Sequence, residues 1–97
     1  MKQPNELPIP PTAQSPGSRE LLRVWAASGK QHVSLATGLW KDPATWGIMI
    51  VDLMKHISSA YEQTDGLPAD ETFQRIISGI QAELTESTDT PTGELLR

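Results

Sequence analysis

Cysteine is absent from this chain, which excludes disulfides, thiolate metal ligands and a cysteine nucleophile, and fits a reducing compartment. Long apolar runs are missing too. The most apolar stretch, Trp46 to Met54, is interrupted by Asp52 and followed by Lys55 and His56, so it is too short and too charged to span a bilayer. Met1 to Gly17 lacks the apolar segment of a secretory signal and is broken by Pro4, Pro8, Pro10, Pro11 and Pro16. These absences predict a cytoplasmic protein with no membrane contact. There is no basic run of the kind that grips nucleic acid, and Gly29, Gly38, Gly47, Gly66 and Gly79 are not spaced to cradle a phosphate.

What is present is enough for one small domain of 97 residues with a formal net charge of -4. The charge is unevenly placed. Residues 1–42 hold five basic and three acidic groups, whereas residues 43–97 hold three basic and nine acidic ones. Such asymmetry steers association more than it sets affinity.

Residues 1–18 are rich in Pro, Gln, Asn, Thr and Ser, and bury too little apolar surface to offset the entropy of ordering. They read as a disordered arm. Within it, Leu7-Pro8-Ile9-Pro10-Pro11 has the makings of an extended ligand for a partner groove. Residues 86–97 read as a flexible tail, although Glu94-Leu95-Leu96-Arg97 repeats Glu20-Leu21-Leu22-Arg23. A tail copy of strand one could pair with the hairpin edge in the same chain or in another subunit, but four common residue types also recur by chance, and chance is the preferred account of the echo.

Between the tails, residues 19–85 read as one α+β domain of order ββαα, an N-terminal β-hairpin followed by two amphipathic helices. Leu22, Val24 and Ala26 alternate with Leu21, Arg23, Trp25 and Ala27; after Ser28-Gly29-Lys30-Gln31, Val33, Leu35, Thr37 and Leu39 alternate with His32, Ser34, Ala36, Gly38 and Trp40. A four-residue loop would set Ala27 opposite His32, Val24 opposite Leu35 and Trp25 opposite Ser34.

Asp42-Pro43 then marks a helix start, because Asp caps free N–H groups and Pro fits the first helical position. From about Pro43 to Gln63, Trp46, Met49, Ile50, Leu53, Ile57, Ala60 and Tyr61 form an apolar stripe opposite Asp52, Lys55, His56, Ser59, Glu62 and Gln63. Gly66 suits a left-handed cap, and Pro68 opens a second helix with Asp70 and Glu71 in its first turn and Phe73, Ile76, Ile77, Ile80 and Leu84 on one side. Gly47 and Gly79 read as points of close helix packing.

The candidate chemistries are thin. Asp52 and His56 stand one helical turn apart, but no third ligand is placed by sequence, so an exposed polar face is the better reading than a metal site. The same pair has no activated nucleophile to serve. Asp42 between two tryptophans is better read as a cap than as a catalyst. Arg19, Arg23, Trp25 and Lys30 would be the residues of a nucleic-acid strand site, against an acidic total. No catalytic, metal or cofactor residue is assigned and no cofactor is expected.

The blocks Glu20-Leu21-Leu22-Arg23-Val24-Trp25, His32-Val33-Ser34-Leu35 and Trp40-Lys41-Asp42-Pro43-Ala44-Thr45-Trp46-Gly47 resemble a small bacterial family known only as a domain of unknown function. The Trp-x-Asp-Pro-x-x-Trp-Gly run is their most distinctive part, and the likeness spans about residues 20–83. It implies a compact α+β bacterial cytoplasmic protein and brings no activity, cofactor or site residue with it.

A two-stranded sheet is marginal alone, and the face carrying Leu21, Arg23, Trp25 and Trp40 asks for a cover. Either a second copy packs there or pairs edge to edge into a four-stranded sheet, or the tails fold over it; the homodimer is preferred, and the expectation is a non-enzymatic, self-associating domain that acts through contacts with itself or a protein partner. The alternative is a binding module for a small anionic ligand between Arg23, Lys41 and the first helix N-terminus, with single-stranded nucleic acid on the basic hairpin face as the weaker variant.

Overall fold

A computed structural model describes residues 5–86 and 95–96. Contacts divide the described residues into two compact units, residues 5–37 with 95–96, and residues 38–86. The element order confirms an α+β chain in which a β-hairpin precedes two helices.

In the first unit, β1 (Leu22–Ala27) and β2 (Lys30–Leu35) pair antiparallel. Their register differs from the sequence expectation. Ala27 faces Lys30, Trp25 faces His32, Val24 faces Val33 and Leu22 faces Leu35, because the loop is two residues long rather than four. Ser28 and Gly29 both adopt positive φ, 54° and 73°, the pair of conformations that matches the right-handed twist of the flanking strands. The slip is an even number of positions, so each side chain stays on its expected face. β2 also ends earlier than the alternation suggested: the Ala36 N–H still donates to the Leu21 carbonyl at 3.0 Å, and the chain turns over 37–39.

The segment that repeats Glu-Leu-Leu-Arg does pair with the hairpin edge. β3 (Leu95–Leu96) pairs in parallel with β2, Leu95 opposite Val33 and Leu96 opposite Ser34. The two Leu-Leu segments therefore lie on opposite edges of β2, giving a sheet of order β1-β2-β3. Ahead of the hairpin, a 3-10 turn spans Pro11–Ala13.

The second unit is a helical hairpin, α1 (Ala44–Asp65) and α2 (Ala69–Thr85). Pro43 already has helical dihedrals, φ -59° and ψ -20°, so Asp42 stands at the cap, and its Oδ1 accepts the Ala44 N–H at 3.0 Å. Gly66 closes α1 in the left-handed conformation at φ 74°, its N–H donating to the Glu62 carbonyl. The Glu62 carboxylate accepts the Ala69 N–H at 3.2 Å, so α1 also supplies a cap for α2.

The buried positions of this unit are not the predicted ones. Met54, Ser58 and Thr72 are buried, with Ser58 Oγ donating to the Met54 carbonyl at 2.8 Å and Thr72 Oγ1 to the Pro68 carbonyl at 3.2 Å. Ile50, Leu53, Ile57 and Tyr61, expected in the core, are exposed. The apolar arc of α1 is broad, and a single neighbouring helix covers only one flank of it. Gly47 and Gly79 are not close-packing points either, since a Cβ at each would meet nothing within 4 Å. Among the described residues no helix is long and apolar enough to cross a membrane.

Candidate functional site

On the hairpin, β alternation sets Leu21, Arg23 and Trp25 on one face, with Ser34 opposite Arg23 and His32 opposite Trp25. Arg23 is already engaged. Its Nη2 donates to both Glu20 carboxylate oxygens at 3.1 Å, its Nε to Glu20 at 3.2 Å and its Nη1 to Glu6 at 2.6 Å. The hydrogen bonds and charge of Glu20, then the charge of Glu6, raise the Arg23 pKa above its ordinary value and outweigh desolvation. The bond to Glu6 also ties the N-terminal segment to β1. Together they line an open groove of about 610 Å³, with Leu7, Ile9, Val24 and Trp25 among its walls.

Trp40 does not belong with those three residues on one strand face: it lies in the helical unit. Its ring meets Trp46 edge to face, centroids 5.0 Å apart at 76°, a geometry that aligns the positive ring edge with the negative ring face. The Asp42-Pro43 start is what brings the two indoles together, since it ends the loop bearing Trp40 just as α1 begins. The anionic-ligand reading needed free N–H groups at the start of α1, and the first of them is held by Asp42.

Asp52 and His56 do meet, at 3.3 Å, with side chains 72% and 77% exposed. Among the described residues no three metal-ligating side chains cluster. Near the helix turn, Tyr61, Leu67, Thr72, Arg75 and Ile76 line a second open hollow of about 380 Å³.

The feature that sequence reasoning missed is the surface of α1 and α2. Ile48, Ile50, Val51, Leu53, Ile57 and Tyr61 on α1 are 39–72% exposed, and Ile80 and Leu84 on α2 are 41% and 80% exposed. The signal was legible in part, because the apolar arc of α1 is wider than one helix can hide.

A family model described as a domain of unknown function matches residues 6–88, a longer span than the motifs that suggested it. The chain is similar to a solved structure from the photosynthetic bacterium Rhodopseudomonas palustrus CGA009, provisionally named a pyruvate dehydrogenase. The two are 29% identical over 95% of each chain, with a TM-score of 0.70. No curated protein matches the chain significantly.

Proposed function

Since this chain belongs to the DUF5076 family, whose name carries no activity, we propose from its own surfaces that it is a non-enzymatic bacterial cytoplasmic module that acts through protein contacts and associates with itself. One observation carries the reading. Among the described residues Met54 is the buried hydrophobic side chain, while a dozen large hydrophobic ones are at least 39% exposed. Six of them lie on α1; an exposed apolar helix face is the ordinary mark of an interface, and small domains commonly supplement a thin core by association. The bacterial source of the similar structure supports the same setting; its enzyme name stays with that protein.

The alternative, a module for a small anion on the basic hairpin face, draws on Arg23. It is weakened by the two carboxylates that already neutralise Arg23. Sedimentation velocity of the full chain from about 1 μM to 1 mM tests the reading. A dimer that dissociates on dilution is the expected outcome. A monomer throughout, with a thermal shift on adding inorganic phosphate, would replace it with the anion module.

A further inference from the structure

We infer that the self-association surface is the uncharged face of α1, and that its occupant is the same face of a second copy; this rests on the self-association proposed above. The argument begins with spacing. Trp46, Ile50, Leu53, Ile57, Ala60 and Thr64 follow one another at intervals of four, three, four, three and four residues. That is the rhythm of a coiled-coil seam, with Ile at the position where two-stranded pairs favour β-branched residues and Leu at the other. A purely core-facing helix needs no such regularity, yet here it falls on side chains left in solvent: Ile50 is 44%, Leu53 41% and Ile57 39% exposed.

Charge selects the occupant. The positions flanking the seam are Met49, His56 and Gln63 on one side and Gly47, Met54 and Tyr61 on the other, none of them Asp, Glu, Lys or Arg. Asp52, Lys55 and Glu62 lie on the opposite side of the helix. Residues 38–86 hold eight acidic and three basic groups, so two copies meeting through the side of α1 that bears Asp52 and Glu62 would bring carboxylates together. The α1 seam is where that acidic unit can meet itself without like-charge repulsion. A basic or acidic peptide finds no countercharge along this strip, so charge complementarity favours an uncharged occupant, which a second α1 provides.

Within the helical unit, α2 leaves the strip available. α1 and α2 pack together, and the side chains that α1 buries are Met54 and Ser58, to one side of the seam, so pairing of two α1 seams would assemble four helices with both α2 helices outside. Residues 46–64 run roughly 27 Å at 1.5 Å per residue. That is short for two isolated helices, but α2 already holds each α1 in shape, so association need not nucleate the helix.

The test is sedimentation velocity of the full chain as wild type, Leu53→Glu, Trp25→Ala and Lys55→Ala. Lys55→Ala changes the charge by the same amount as Leu53→Glu but on the opposite side of α1. Leu53→Glu should weaken dimerisation by about tenfold or more, whereas Lys55→Ala and Trp25→Ala stay dimeric at wild-type concentrations. If circular dichroism shows that Leu53→Glu has lost its helices, the milder Ile57→Gln takes its place with the same expectation. A dimer that survives the seam variants and dissociates with Trp25→Ala overturns the seam and moves the interface to the hairpin, leaving self-association standing. A dimer untouched by every variant also overturns the seam. A wild type that is monomeric at every concentration overturns both.

Discussion

Asp42 shows how much one residue decides locally. It lies between a tryptophan-bearing loop and a helix that begins on a proline, and its carboxylate takes an N–H that the first turn cannot satisfy. Asp42→Ala should therefore cost about 0.5–2 kcal/mol of stability in urea titration, while Asp42→Asn, which keeps an acceptor oxygen, should lose only a small part of that. Equal stability of Asp42→Ala and wild type would show the cap to be idle. Arg23 is the contrasting case, a tertiary contact across 17 positions that no local rule announces. Its pKa is raised by the folded state. The corresponding stabilisation is present wherever the unfolded guanidinium is charged and is lost only in strongly alkaline solution, so unfolding near neutral pH should carry no pH dependence from this group.

The elements were legible, and their edges and faces were less so. Alternation identified the hairpin, but loop length depended on Ser28 accepting positive φ beside Gly29, a choice that composition does not force. The alternation beyond Leu35 was the same pattern without a partner strand, so it formed a turn instead. Within the helices the periodicity was correct while the buried side was misjudged, because burial depends on which flank the second helix occupies. The glycines make the point testable. A methyl group at position 79 meets nothing within 4 Å, so Gly79→Ala should stabilise the helical unit by about 0.5–1 kcal/mol through helix propensity. A lower midpoint in thermal unfolding would mean that another surface approaches Gly79 closely.

For the whole molecule, association and folding are expected to be linked equilibria. A tenfold rise in protein concentration favours a folded dimer over unfolded chains by about 1.4 kcal/mol per dimer, so the thermal midpoint of the wild type should climb by a few degrees per decade of concentration. Leu53→Glu should flatten that slope, and Lys55→Ala should leave it intact. A flat wild-type profile would separate folding from association and remove the support that the thin core lends to the proposed function.

The sequence by itself determined the order of the hairpin and the two helices, the start of α1 at Asp42-Pro43, its end at Gly66, the faces of the hairpin strands and the family to which the chain belongs. All of these are set by residues near one another along the chain, through capping, turn conformation and side-chain period. Only the tertiary structure decided the hairpin register, the pairing of Leu95–Leu96 with β2, the reach of Glu6 to Arg23, the placing of Trp40 against Trp46, and the exposure of Ile50, Leu53 and Ile57. The physical reason is that periodicity records which side of a helix or strand is apolar, whereas burial requires a second surface to be brought against it. That surface comes from distant residues or from another chain.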